Sequence, residues 1–112
     1  MLIDKTGKII TDLDFRGTKT EYLDKLKARE ILQIISVALQ TVNKIERFAA
    51  KDLVPANWEK SVYAPIFAVC GDKKEASKLL SVIVKQALIM SPLPFRHEGS
   101  ADQWDLTVYT RI

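Results

Sequence analysis

Residues 31–49 read ILQIISVALQTVNKIERFA and carry the most regular hydrophobic pattern of the chain. Apolar side chains recur there every three or four residues, which is the period of an α-helix with one buried face. Upstream, Thr18 and Glu21 have the spacing of a capping box, in which a hydroxyl and a carboxylate satisfy the first N–H groups of a helix. The pattern therefore predicts one long helix over about 19–50, whose apolar seam comprises Ile31, Ile35, Ala38, Val42, Ile45 and Ala49.

The predicted helix is long for a chain of 112 residues. About 30 residues at ~1.5 Å each extend roughly 45 Å, whereas a domain of this size has a radius of gyration of about 13 Å. Either the helix breaks near residues 41–43, or its apolar seam continues against a second copy of the chain. The second possibility predicts a homo-oligomer, most simply a homodimer. Tryptophan is enriched in interfaces, so the candidate interface comprises Ile31, Ile35, Ala38, Val42, Ile45 and Trp58.

Both ends of the chain alternate between apolar and polar side chains, with the period of a β-strand. Residues 1–4 and 9–15 flank a turn-like Lys5-Thr6-Gly7-Lys8 segment and predict a hairpin. In the second strand of this hairpin, the side chains fall into two alternating sets, and the more apolar set begins at Ile9. The closing strand, 104–112, has an apolar set consisting of Trp104, Leu106, Val108, Thr110 and Ile112. We expect these apolar sets to pack beneath the helices.

A second helix is predicted over 73–90. Asp72 and Glu75 repeat the capping-box spacing, and Pro92 ends the helix because a residue before proline is driven out of the α region. The segment 58–70 is ambiguous, since its β-branched and aromatic residues favour a strand whereas Pro65 disfavours a central one. We favour a short helix there, with a buried strand as the alternative. Residues 93–103 are predicted to form a loop.

The predicted fold is therefore a single α+β domain over 1–112. The hairpin and the C-terminal strand form a small antiparallel sheet, packed against two main helices. A hydrophobic content of 47% and a charged content of 28% exclude the disordered class, which needs few apolar residues and a high net charge. No basic segment followed by an apolar one marks a signal peptide. The most apolar stretch, 79–90, is too short to span a bilayer, so we expect a cytoplasmic protein without membrane contact.

Little in the sequence indicates catalysis. There is no glycine-rich phosphate loop and no nucleophile elbow, and a single cysteine with a single histidine cannot complete a zinc site. Asp12 and Asp14 share one side of a predicted strand and could hold a cation, although a solvated strand face is the favoured interpretation. Cys70 lies in an apolar run and is expected to be buried. We predict no cofactor, no metal and no catalytic residue.

The leading functional hypothesis is a small, non-catalytic cytoplasmic interaction or regulatory protein that acts as a homo-oligomer, with itself or another protein as partner. A second hypothesis is nucleic-acid binding, because the formal charge is +3 and lysines on one helix face can contact phosphates. Those lysines are Lys73, Lys74, Lys78 and Lys85. A third hypothesis is a small ribonuclease that uses His97 in the 93–103 loop, flanked by Arg96 and Glu98.

Overall fold

The computed structural model describes residues 1–11, 20–53, 60–100 and 107–112, and within them the chain forms four α-helices and a five-stranded sheet. The strands are β1 (Leu2–Ile3), β2 (Ile9–Ile10), β3 (Arg47–Ala49), β4 (Phe95–Ser100) and β5 (Thr107–Arg111). The helices are α1 (Thr20–Lys25), α2 (Ala28–Val42), α3 (Ala64–Cys70) and α4 (Lys73–Met90), with a 3-10 helix at Ala50–Leu53. The α+β class predicted from the sequence is confirmed.

The sheet is mixed, with the strand order β2-β1-β4-β5-β3. β1 runs parallel to β4, and the other neighbouring strands are antiparallel. The prediction of a small, purely antiparallel sheet is therefore wrong. β3 and β4 come from segments predicted as helix and loop, respectively. β4 was missed because its sequence lacks regular alternation; it becomes a strand by pairing with β1 on one side and β5 on the other.

The predicted helix over 19–50 is interrupted between α1 and α2. Leu26 turns its side chain into the core, and Lys27 adopts an extended backbone with φ −72° and ψ 145°. The backbone N–H of Lys27 donates to Glu30 Oε1 at 2.9 Å, which satisfies one N–H at the start of α2. Neither glycine nor proline lies at this break. It is produced by the burial of Leu26 and by the Glu30 side chain, which caps the start of α2.

α2 ends at Val42, which agrees with the first of the two alternatives, a break near residues 41–43. The α-helix predicted over 44–49 is wrong, because β3 occupies Arg47–Ala49. Asn43 caps the helix, and the Arg111 guanidinium donates a hydrogen bond to its carbonyl oxygen. A cation at this end of a helix is favourable because the terminal carbonyls carry partial negative charge. The molecule measures 36 × 27 × 25 Å, and the apolar seam of α2 therefore needs no second copy on grounds of length.

The ambiguous segment forms a helix over Ala64–Cys70, as favoured from the sequence. Pro65 lies in the first turn of α3, where its missing N–H removes no intrahelical bond. Gly71 ends α3 with φ +67°. Residues 58 and 59 lie outside the described part of the chain. α4 begins as predicted, with Asp72 Oδ1 accepting from the Lys74 N–H at 2.7 Å, and it ends at Met90, shortly before Pro92.

One hydrophobic cluster lies between the helices and one face of the sheet. Phe48 of β3 contacts the ring of Phe95 of β4 nearly perpendicularly, with 6.0 Å between centroids, and Tyr109 of β5 at 5.7 Å. Leu2 of β1 extends this layer. The helices cover it with buried side chains of α2 and α4, among them Ile34, Ile35, Ala38, Val42, Leu79, Leu80, Ile83 and Leu88.

The described part of the predicted N-terminal hairpin is confirmed, and residues 12–15 of its second strand lie outside the described part. Asp4 Oδ1 accepts hydrogen bonds from the Thr6 N–H at 2.8 Å, the Thr6 hydroxyl at 2.6 Å and the Lys8 N–H at 3.0 Å. These bonds lower the pKa of the Asp4 carboxyl, the Thr6 hydroxyl having the largest effect. Gly7 completes the turn with φ +88°, a conformation that is costly for residues with a Cβ.

Gly7→Ala should lower the free energy of unfolding by about 1 kcal/mol, because alanine is strained at this positive φ. An added Cβ meets no atom within 4 Å, so the loss should come from backbone conformation and not from a clash. Urea unfolding measures it. Gly7→Asn is the matched control and should lose less, since asparagine tolerates the left-handed region. Equal losses in the two variants would contradict this explanation.

Candidate functional site

The predicted interface residues of α2 are mostly occupied within the chain itself. Ile35, Ala38 and Val42 are buried in the core, and Ile31 and Ile45 are half-buried against it. Trp58 lies outside the described residues. A second copy could reach the buried side chains only if the core opened. These three residues belong to the core of the chain, and the prediction that the α2 seam forms an interface stays a prediction.

The lysines proposed for nucleic-acid contact lie on α4, as predicted. Lys73 and Lys74 are exposed, whereas Lys78 and Lys85 are half-buried. Lys78 Nζ lies 3.8 Å from Glu75 Oε1, and the Asp72 carboxylate caps the same end of the helix. These carboxylates reduce the local positive charge. Nucleic-acid binding through this face stays a prediction.

The three side chains of the ribonuclease hypothesis do not converge. They are consecutive on β4, and successive side chains of a strand point to opposite faces. Arg96 and Glu98 share one face, with 3.9 Å between Nη1 and Oε1. The His97 ring lies on the other face and packs edge-on against Tyr109, with centroids 5.5 Å apart. No acid–base group is assembled from these residues.

The side of the sheet opposite the helices, which we call the outer face, carries no helix within the described residues. Pairing of the strands aligns one residue from each into a continuous row. Ile9 lies opposite Ile3, Ile3 beside Arg96, Arg96 opposite Thr110, and Thr110 opposite Arg47. We call these five residues the outer row. It is apolar at the β2–β1 end and polar from β4 to β3.

Apolar side chains remain in contact with solvent along this face. Ile9 is 56% exposed, and strand alternation places Met1 and Ile112 on the same side, at 39% and 56% exposure. The Phe95 N–H donates to the Met1 carbonyl, and the Ile112 N–H donates to the Pro94 carbonyl. Three of the six exposed large apolar side chains of the described residues thus lie on one face. Val108 and Ala49, further along it, are buried.

The sequence predicts the opposite orientation for both terminal strands. Val108, Thr110 and Ile112 were expected beneath the helices, yet Tyr109 and Arg111 occupy that side of β5. Tyr109 faces inwards because its ring packs on Phe48. In β2, likewise, Ile10 packs against the core and Ile9 faces outwards. The described members of both apolar sets therefore lie on the outer face, whereas Trp104 and Leu106 lie outside the described residues.

At the β3 edge of the sheet, one backbone donor is already satisfied within the chain. The Ala49 N–H donates to Asp52 Oδ2 at 2.8 Å, so a side chain of the following 3-10 helix occupies a donor that faces away from β5. Edge strands are commonly protected by charged side chains in this way. A further strand that used this donor would have to displace the bond to Asp52.

Cys70, at the end of α3, lacks the environment of a reactive thiol. Burial raises its pKa most, and the Glu75 and Asp72 carboxylates raise it further, against a smaller opposing effect of Lys25. A nucleophilic cysteine needs the reverse, a pKa lowered by nearby positive charge. Cys70 is only half-buried, so its exposure is greater than the sequence predicts, but its chemistry is that of an unactivated thiol.

Comparisons with known proteins return no match: no family model, no curated protein and no solved structure is similar to this chain. Among the described residues, no three of His, Cys, Asp and Glu are grouped as a metal site would require. None of the described helices combines the length and apolarity needed to cross a bilayer. Functional inference therefore depends on the geometry of the chain itself, in which the outer face is the main candidate site.

The Cys70 thiol should be alkylated by iodoacetamide at mildly alkaline pH more slowly than the thiol of the urea-unfolded chain, because the folded structure raises its pKa. Glu75→Gln should accelerate the reaction by removing a negative charge close to the sulfur. Glu46→Gln is the matched control, since Glu46 does not contribute to the shift. A folded-state rate equal to the unfolded-state rate would contradict this description.

Proposed function

We propose that this protein is a small, non-catalytic interaction protein of the cytoplasm that acts as a homo-oligomer through its outer face. One observation carries the proposal: Ile9 and Ile112 point to the side of the sheet that no described helix covers. Ile9 and Ile112 each keep more than half of their surface in water. An apolar strand face is normally buried against a second layer, and a second copy supplies that layer.

The composition of the outer face suits a protein partner. Its apolar side chains are exposed at the β2–β1 end, and Arg96 and Arg47 lie in the same row. Arginine is enriched among residues that dominate interface energetics, and apolar patches rimmed by polar groups mark protein contacts. Fully burying an isoleucine side chain contributes about 1.5–3 kcal/mol, so a few such residues on each copy provide a substantial driving force.

Two features give less support to the other hypotheses. The α4 lysines proposed for nucleic-acid contact lie beside the Asp72 and Glu75 carboxylates, which reduce the local positive charge. Aromatic stacking with bases would strengthen such binding, but the Tyr109 ring is buried on the helix-facing side of the sheet. Ribonuclease chemistry depends on convergence of His97 with Arg96 and Glu98, and these side chains lie on opposite faces of β4. Protein association depends on neither arrangement.

Substituting Ile9 tests the proposal. Ile9→Lys places a charge in the apolar end of the outer row and should weaken self-association at least about tenfold, the equivalent of 1.4 kcal/mol. Leu32→Lys is the matched control, because Leu32 is 60% exposed but lies on α2, away from the outer face. Size-exclusion chromatography with light scattering across a dilution series measures the mass of each variant.

The wild-type protein and Leu32→Lys should share a mass above the 12.7 kDa of one chain, with Ile9→Lys shifted towards that value. Ile9 and Leu32 are both exposed in the single chain, so both variants should stay folded by circular dichroism. Only Ile9→Lys should lose the stabilisation that self-association adds to the folded state. A wild-type protein that is monomeric at every concentration would overturn the proposal. Equal masses for the wild type and Ile9→Lys would exclude the outer face as the interface.

A further inference from the structure

We propose that β2, the edge strand of the sheet, is a second contact between copies of this chain, in which the β2 strands of two copies pair antiparallel about a two-fold axis at Ile9. This contact is separate from the packing of outer face on outer face and goes beyond the proposed function. It joins two outer faces side by side into one surface, which a further pair of copies can then cover.

The hydrogen bonds of the hairpin fix the direction in which the Ile9 backbone points. Lys8 lies opposite Asp4, and the Lys8 carbonyl oxygen accepts from the Asp4 N–H at 2.9 Å. In an antiparallel pair, opposed residues that exchange hydrogen bonds alternate with opposed residues that do not. Ile9 therefore makes no backbone bond to Ile3, which lies opposite it, and the Ile9 N–H and C=O groups point away from β1.

The β2 edge is open. Within the part of the chain that the structure describes, no strand lies beyond β2 and no hydrogen bond involves the Ile9 N–H or C=O. Lys8, Ile9 and Thr11 are all exposed. The other edge differs, because the Ala49 N–H, an outward donor of β3, binds Asp52 Oδ2 at 2.8 Å. An unpaired strand edge is a template for another strand, so β2 is the better template of the two.

A second copy supplies the matching strand. Two-fold symmetry is the commonest relation between identical chains, and an antiparallel strand pair has this symmetry itself. With the axis at Ile9, the N–H of each Ile9 donates to the Ile9 C=O of the other copy, so one residue satisfies both groups. The same register places Lys8 opposite Ile10 and Gly7 opposite Thr11. No like charges are therefore directly opposed in this register, an arrangement that would be destabilising.

The side chains on the outer face suit the same pairing. Directly opposed residues of an antiparallel pair place their side chains on one face, so the two Ile9 side chains lie next to each other. Each is 56% exposed in the single chain, and Ile3 flanks each of them. The apolar ends of the two outer rows thereby meet, and their polar ends point away from the contact.

A single thiol at position 9 tests the pairing. Across a hydrogen-bonded antiparallel pair the Cα atoms are about 5.5 Å apart, within the range of roughly 4.4–6.8 Å that a disulfide spans. Sheets packed face to face lie about 10 Å apart, which is too far. Ile9→Cys in a Cys70→Ser background, oxidised by copper phenanthroline in air, should therefore form a covalent dimer of twice 12.7 kDa on a non-reducing gel.

Leu32→Cys in the same Cys70→Ser background is the matched control. Leu32 is 60% exposed but lies on α2, so this variant should remain largely uncrosslinked under the same conditions. Circular dichroism of the reduced proteins checks that both variants are folded.

Proline at position 9 separates the backbone contact from the apolar contact. Ile9→Pro removes the outward N–H, which makes no bond to β1, whereas Ile9→Ala shortens the side chain and keeps the N–H. Ile9→Pro should associate at least about tenfold more weakly than Ile9→Ala, because the hydrogen bonds across the axis are lost. Light scattering across a dilution series measures the difference, and circular dichroism checks the fold.

The outcomes distinguish this inference from the proposed function. Crosslinking of Ile9→Cys, together with weaker association of Ile9→Pro than of Ile9→Ala, would support the edge pairing. If Ile9→Cys is not crosslinked, or the proline and alanine variants associate equally, the edge pairing is wrong. The outer-face contact would still stand in that case if Ile9→Lys dissociates the oligomer. A wild-type protein that is monomeric at every concentration overturns both.

Discussion

The contact of Phe48 with Phe95 and Tyr109 decides which side of the sheet meets the helices. The three rings come from β3, β4 and β5, and they fill the layer beneath α2 and α4. Because strand side chains alternate, fixing these rings inwards fixes Arg96, Thr110 and Arg47 outwards. The same constraint places Arg111 beneath α2, where it binds the terminal carbonyl of that helix. The core and the candidate binding surface are thus two consequences of one packing choice.

Elements with signals in the adjacent sequence could be predicted, and elements formed by distant pairing could not. α4 matches its predicted bounds because Asp72 caps it and Pro92 stops it. β4 is flanked by no comparable signal and gains its structure from β1 and β5, which lie far away along the chain. The break at Leu26 and Lys27 also lacks glycine or proline. Its only local sign is Glu30, three residues into α2, and a glutamate at such a position is common in unbroken helices.

The candidate site was missed for a related reason. Alternation identifies the two faces of a strand but does not say which of them meets the helices, and a displacement of one residue exchanges them. In β5 the choice depends on one large ring: Tyr109 fills space against Phe48 that Val108 or Thr110 would leave empty. Hydrophobicity scales rank isoleucine and valine above tyrosine, so the expected orientation was inverted. β1, β2 and β5 lie within the predicted terminal strands and are shorter than predicted over the described residues, and the surface that they form was not identified.

The bond between the Ala49 N–H and Asp52 has a consequence for the size of any assembly. Unlimited growth of a sheet requires every added subunit to offer one free edge to the next. This carboxylate occupies one donor of the β3 edge in every copy, so edge-to-edge addition there would have to displace an intrachain bond at each step. When two copies associate through the same face, that face of each copy is buried in the one contact and cannot bind a third copy. Together these features favour a closed particle of fixed size over a fibre, even at high protein concentration.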